Sequence, residues 1–362
     1  MKITFPYMGT SHIAFKMLIN DLGHEAIVPP KPSKRTLTLG VQYAPEFACV
    51  PFKILLGSYL EAIELGAELV ITSGGVGPCR AGYYGVLHEK ILQDLGHNVR
   101  VMVFEPPLRD LSDFLGKIRS LIKANKVSWR AFYRRFKDAW EKLKTLDDVE
   151  ILAHEIRPYE VKKGETTEVF QRCLTLLDQA RTISDTVAVK EECFRLLKSI
   201  PQDGSRIPLK IGIIGEIYVV LEPFANYDLQ VTLGEMGVHT DRSIWLSAWT
   251  RDNTIYDGEK DIKKAAKPYL NELIGGHGIN SVGETVLYAK HGFDGVVQLA
   301  PFTCIPEIVA KSILPRVSQD LGIPVLTLFI DEQTGKAGVQ TRLEAFVDLL
   351  LQRREMMEAR FI

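Results

Sequence analysis

Strand-sized apolar runs alternate with amphipathic helices at both ends of this chain, and that alternation constrains the fold more than any other feature. In the first hundred residues the runs are Lys2–Tyr7, Glu25–Val28, Glu68–Thr72 and Val99–Phe104. Helical spacing lies between them over Ser11–Leu22, Lys53–Leu65 and Tyr83–Leu95, with stops at Gly23, Gly66 and Gly96. Glycine is the usual stop because it takes the left-handed conformation at no steric cost. The same texture returns later, with runs at Lys210–Ile214, Gly295–Leu299 and Pro324–Ile330. Helical spacing there covers Tyr227–Met236, Ser281–His291, Pro306–Asp320 and Thr341–Glu358. Such alternation predicts an α/β fold: two doubly wound, Rossmann-like domains, each a parallel sheet with helices on its faces.

Between these halves the texture changes. Asp110–Ala124, Trp129–Lys144 and Thr167–Ile183 are long, charged and helical in period, with almost no strand signal. Pro201, Gly204 and Pro208 then mark a linker. The expected organisation is an N-terminal α/β domain over 1–107, a helical insert over 108–205 and a C-terminal α/β domain over 206–362. The halves also share a local plan of strand, Pro/Cys loop and helix: ITSGGVGPCRAGYYGVL in one and VVQLAPFTCIPEIVAKSIL in the other. A distant duplication accounts for that.

Charge narrows the partners. The formal net charge is −1, and no segment gathers Lys and Arg with exposed aromatics, so nucleic acid is not an expected partner. No apolar run reaches the roughly 18–20 residues that span a bilayer. The N-terminal stretch alternates like a strand and lacks the pattern of a signal peptide. Five cysteines without a signal suit a reducing compartment, and a cytoplasmic protein is expected.

Cys49, Cys79 and Cys304 share a context that Cys173 and Cys193 lack. Each lies on an expected loop beside proline: Cys49-Val50-Pro51, Pro78-Cys79 and Cys304-Ile305-Pro306. Proline and glycine hold such loops open and leave backbone N–H groups available to sulfur. Cys79 and Cys304 follow strands, where ligands gather in open α/β sheets. Cys49 precedes the helix expected near Lys53, where the N-terminus favours a thiolate. The bland alternative is that a loop thiol packs as a small hydrophobe, the reading given to Cys173 and Cys193. Zinc is the chemical competitor, with His277 or His291 as a fourth ligand.

The stretches 49–85, 213–238, 282–310 and 323–350 resemble the activator-dependent 2-hydroxyacyl-CoA dehydratases and their relatives, the double-cubane cluster proteins. The similarity is strongest to a CoA-dehydratase-like branch encoded beside, or fused to, an activase of the sugar kinase/Hsp70/actin superfamily. It covers most of both α/β halves. What it implies is an oxygen-sensitive 4Fe–4S cluster held by Cys49, Cys79 and Cys304, with one iron left open. It also implies an ATP-hydrolysing activase as electron donor and a homologous subunit or homodimer. The chain departs from the family in offering no recognisable catalytic serine or CoA contacts. With three well-placed cysteines, one cubane per chain is the expectation and a double cubane the alternative.

Other residues carry weaker signals. Arg80 adjoins Cys79 and could pair with a negative cluster or an acyl-CoA phosphate. Glu216 and the turn Asp331–Gly335, with Glu332, follow strands, and Glu222 lies six residues beyond Glu216 in a Pro-containing loop; Glu216 and Glu332 are taken as candidate acids. For each, a capping carboxylate is the plain alternative. The Gly74–Gly77 loop lacks the order of a phosphate loop. Tyr83 and Tyr84 read as helix core, with a hydroxyl able to reach a bound ligand. The functional expectation is low-potential reduction or dehydration of a small, acyl-CoA-like substrate. The alternative is a non-catalytic electron relay.

Overall fold

The computed structural model describes residues 1–74, 78–107, 110–254 and 258–359. The chain divides into two compact units. One comprises Met1–Val149, Gln171–Phe194 and Trp245–Gly258, the other Glu150–Phe170, Arg195–Ile244 and Glu259–Ile362.

The first unit begins with β1 (Lys2–Thr4), α1 (His12–Asp21), β2 (Glu25–Ala26), α2 (Lys34–Tyr43) and α3 (Val50–Glu64). It continues with β3 (Leu69–Ser73), α4 (Tyr84–Asp94) and β4 (Arg100–Phe104). All four strands are parallel, in the order β2-β1-β3-β4. Helices α5 (Leu111–Ala124), α6 (Trp129–Ile156), α7 (Glu165–Gln179) and α8 (Ile183–Lys198) follow. Ile3 and Leu69 of the sheet, with Phe5 just past β1, pack against Ile19 of α1 and Leu121 of α5.

The second sheet repeats the plan. β5 (Leu209–Gly215) leads through the short helices α9 (Ile217–Leu221), α10 (Pro223–Asn226) and α11 (Leu229–Glu235) to β6 (Val238–Arg242). After α12 (Leu246–Thr254) come α13 (Lys260–Ala266), α14 (Gly278–Lys290), β7 (Gly295–Pro301), α15 (Ile305–Leu321), β8 (Val325–Ile330) and α16 (Lys336–Glu358). The order is β6-β5-β7-β8, again all parallel. Both sheets are therefore α/β and doubly wound. In each, the first and third strands lie side by side at the centre, where the winding reverses.

A tight helix pair precedes the third strand in both units. A Cβ on Gly40 of α2 would lie 1.7 Å from the Lys53 carbonyl oxygen, and one on Gly57 of α3 would lie 1.8 Å from that of Thr36. Only glycine allows this approach. In the second unit Gly283 of α14 meets the Ile262 carbonyl of α13 in the same way, at 2.3 Å.

The chain departs from expectation in local detail. Helix α6 runs on to Ile156, the helix expected over Thr167–Ile183 is α7 and ends at Gln179, and a separate helix, α8, begins at Ile183. Asp185 accepts from the Thr182 N–H at 3.0 Å while Thr182 Oγ1 accepts from the Asp185 N–H at 3.2 Å, and that reciprocal box starts α8 afresh. Tyr227 does not begin a helix. It and Asp228 have φ of 60° and 55°, so α11 starts after them. Cys173 and Cys193 are wholly buried, each thiol donating to the other residue's carbonyl, at 3.9 and 3.8 Å. Among the described residues no helix is long and apolar enough to cross a membrane.

Candidate functional site

The three singled-out cysteines occupy one structural position. Cys49 is the N-cap of α3, with φ −70° and ψ 157°. Cys79 caps the 3-10 turn Arg80–Tyr83 that runs straight into α4, with φ −66° and ψ 131°. Cys304 caps α15, with φ −73° and ψ 104°. All three are extended and none uses its side chain to bond the helix it caps. Proline follows Cys49 and Cys304 within the first two helical positions, where its missing N–H costs nothing. Each cysteine thus stands at the head of a helix or 3-10 turn.

The first unit joins its two cysteine loops directly. The Tyr84 hydroxyl lies 2.5 Å from the Cys49 sulfur. Arg80 donates through Nη1 to the Phe47 carbonyl at 3.0 Å, and its guanidinium sits 5.9 Å from the centre of the Phe47 ring. Arg80 therefore ties the Cys79 turn to the chain leading into Cys49. Beneath the contact, Phe52 stacks on His88 at 4.0 Å, and His88 Nε2–H donates to the Phe52 carbonyl at 3.1 Å. Burial pushes His88 down to about 4, so its imidazole is neutral. Tyr83 is 73% exposed and does not belong to the core. Glu105, just past β4, brings its carboxylate against Gly74, where a Cβ would lie 2.2 Å from Oε1. Gly75, Val76 and Gly77 of the glycine loop lie outside the described residues.

The second unit presents carboxyl groups at the corresponding edge. Gly215, with φ 143°, ends β5 so close to β7 that a Cβ would lie 2.2 Å from the Leu299 carbonyl oxygen. Glu216 follows as the N-cap of α9, accepting from the Val219 N–H at 3.0 Å. Desolvation pushes its carboxyl up to about 7, against the pull of the Val219 and Tyr218 N–H groups. Glu307, in the first turn of α15, is fully buried. It accepts from Ser281 of α14 at 2.9 Å and from Gln298 of β7 at 2.8 Å. Burial pushes Glu307 to about 7, and the charge of Glu216 adds to the shift. Glu222 caps α10, accepting from the Phe224 N–H at 3.1 Å. Asp331 closes its turn by accepting from the Gln333 N–H and the Thr334 hydroxyl, at 2.9 and 2.7 Å. Glu332 stands at the tip of that turn, half-buried.

Thr303, immediately before Cys304, has φ 68°. A β-branched residue is rarely held in the left-handed region, and the roughly 1–2 kcal/mol it costs is stored in the loop before α15. His277 is the N-cap of α14, the place that Cys49 holds on α3. It is buried, and burial pushes it down to about 4. His291 sits at the other end of the same helix.

Cys49 and Cys79 belong to the first unit and Cys304 to the second. Among the described residues, no three or more His, Cys, Asp or Glu side chains form a group that could hold a metal ion. None of the five cysteines is in a disulfide, and Cys49, Cys79 and Cys304 cap two α-helices and a 3-10 turn. Sequence reasoning missed Glu307, Glu105 and the contact of Tyr84 with Cys49. Glu307 did carry a signal, an acid three residues past one of the three singled-out cysteines. No protein-family model and no curated protein matches this chain.

Proposed function

We propose that this chain is an iron–sulfur redox protein in which Cys49, Cys79 and Cys304 are the protein ligands of one 4Fe–4S cluster. One observation carries the reading: all three thiols cap helices in extended backbone, and Cys79 and Cys304 follow the third strand of two sheets with the same order. Two incidental cysteines would have no reason to fall at equivalent places in both halves of a repeated fold. When bound, such a cluster supplies single-electron transfer and, at an iron without a protein ligand, a Lewis acid. The chain's own part is to hold the thiolates and to manage protons. Glu216, with a carboxyl near 7, is about half protonated at neutral pH beside the end of β5, and its protonated form is the one required to protonate a leaving hydroxyl. Glu332 is the second candidate acid, on the turn after β8. Arg80 keeps the Cys79 turn in register with Cys49.

The reaction class is low-potential reduction or dehydration of a small substrate, acyl-CoA among them. Electrons come from an ATP-hydrolysing activase of the sugar kinase/Hsp70/actin superfamily, with a homologous subunit or second copy in the assembly. The test begins with anaerobic purification and iron and sulfide analysis. Cys79→Ser and Cys304→Ser should each abolish the brown colour and the bound iron in a folded chain, whereas Cys173→Ser should keep both. Full iron retention in Cys304→Ser would remove the second unit from the ligand set. Mixing the loaded protein with the activase, ATP and a reductant should bleach its visible absorption. Equal bleaching without ATP would exclude the activase scheme.

A further inference from the structure

We propose that Cys173 and Cys193 are a redox pair that closes to a disulfide between α7 and α8 when a peroxide reaches it. The inference stands apart from the cluster reading, because neither residue is among the three cysteines given to the cluster.

Its basis is a reciprocal contact within the first unit. The Cys173 thiol donates to the Cys193 carbonyl at 3.9 Å, and the Cys193 thiol donates to the Cys173 carbonyl at 3.8 Å. The two are 20 residues apart in sequence, so the contact is made by α8 folding back on α7. Each sulfur lies against the other's backbone, and the two side chains are within hydrogen-bond reach of one another. Cysteines can be bridged only where their Cα atoms come within about 7 Å and their side chains face each other. A reciprocal sulfur-to-carbonyl contact brings the two backbones close and turns the side chains together.

The surroundings make the two thiols unequal. Cys173 is held below the usual thiol range, first by the hydrogen bond from Cys193 and then by the Arg172 charge, against the effect of burial. The same contact pushes Cys193 up, so one member ionises and the other keeps its proton. Both are wholly buried, yet Gln171, Arg172 and Glu191 beside them in sequence are exposed. The pair therefore lies one residue beneath the surface, within reach of a small oxidant through local opening.

The Cys173 thiolate attacks one oxygen of hydrogen peroxide. The O–O bond breaks and hydroxide leaves, taking up the proton that Cys173 lost, which gives a sulfenic acid and water. Cys193 then attacks that sulfur: the S–S bond forms, the S–O bond breaks, and the departing oxygen carries off the Cys193 proton as a second water. Two thiols and one peroxide thus give one disulfide and two waters. A dithiol reverses the step by exchange.

The test treats the reduced, full-length protein with hydrogen peroxide under native conditions, then denatures, alkylates and digests it. The peptides carrying Cys173 and Cys193 should be recovered joined, lighter by two hydrogens, and dithiothreitol should release them. Hydrogen exchange over residues 174–192 should slow about tenfold wherever opening requires the helices to part, and recover with dithiothreitol. Cys193→Ala should show neither change and should accumulate a dimedone-trapped sulfenic acid at Cys173. The wild-type peptide map decides alone if that variant does not fold. Recovery of the two peptides separately alkylated, or joined only when urea precedes the peroxide, would overturn the proposal. So would a bridge from either cysteine to Cys49, Cys79 or Cys304.

Discussion

The two sheet edges share a topology and differ in chemistry. At the first, the third-strand loop is tied to the preceding helix by Arg80–Phe47 and Tyr84–Cys49, a pairing of thiols, a cation and aromatic rings. At the second, the equivalent helices are tied by Ser281–Glu307 and Gln298–Glu307, a pairing of neutral polar groups around a buried acid. The helix cap that is Cys49 in one is His277 in the other. One winding pattern thus serves two purposes: the first edge holds sulfur, and the second holds sulfur with protons nearby. Repetition supplies the scaffold, and the residues at its carboxyl end divide the work.

The sharpest way to break this comparison is to attack the helix pair on one side only. All four tryptophans, Trp129, Trp140, Trp245 and Trp249, fall in the first unit, so indole fluorescence reports on that unit alone. Gly57→Ala drives a methyl into the Thr36 carbonyl and should cost about 4 kcal/mol. Its urea midpoint by tryptophan fluorescence should fall steeply. Gly283→Ala, the counterpart against Ile262, should lower the far-UV transition and leave the fluorescence midpoint in place. Equal fluorescence shifts in both variants would mean that the units unfold as one.

A second, smaller effect concerns the acid that only the second edge possesses. Glu307 is raised to about 7 in the fold, above its ordinary value of 4.5. As pH rises the unfolded chain ionises first while the native state keeps its proton, so native stability falls between about pH 4.5 and 7. The full loss is at most about 3 kcal/mol. Glu216 and Glu284, also near 7, slope the same way, while His277, pushed down to about 4, costs stability as pH falls below 6.5. Subtracting Glu307→Gln from wild type isolates one group: relative to wild type, the variant should gain stability steadily from pH 5 to pH 7. Parallel pH curves for the two proteins would place the ionisation of Glu307 elsewhere.

The smallest effect tests the strain beside Cys304. Thr303→Gly relieves the left-handed backbone and loosens the unfolded chain, for a net gain of up to about 1 kcal/mol in chemical denaturation. A loss instead would show that the Thr303 side chain stabilises more than its backbone costs.

Much of this fold was legible in the sequence because parallel strands buried on both faces leave continuous apolar runs. β7 is buried along its whole length, and it was read within two residues of its end. β6 escaped because Val-His-Thr-Asp-Arg alternates polar residues and lies at a sheet edge. α2 escaped because three prolines precede it and Gly40 interrupts it, although the Ser33–Thr36 capping box was there to be read. The Thr182–Asp185 box that splits α7 from α8 was equally visible. The cysteine contexts were readable as local Pro/Gly signals. The Tyr84–Cys49 contact was not, since periodicity along one helix says nothing about which loop its first turn will meet. The correspondence of His277 with Cys49 was hidden for another reason: it exists between elements of the repeat, not between similar strings of residues.

The close seam between α2 and α3 has a consequence for how this protein can vary. The Lys53 carbonyl fills the place of a side chain on Gly40, and the Thr36 carbonyl fills that on Gly57. Interlocked in both directions, the helices can neither slide by a residue nor rotate past one another without collision. The position of Cys49 at the head of α3 is thereby indexed to α2, whose own start is pinned by Ser33. The chain joining them, residues 44–48, is then relieved of setting that position. Inserting a short Gly/Ser segment between Pro45 and Glu46, upstream of the Arg80 tie at Phe47, lengthens the connection while the helix seam keeps the thiol where it was.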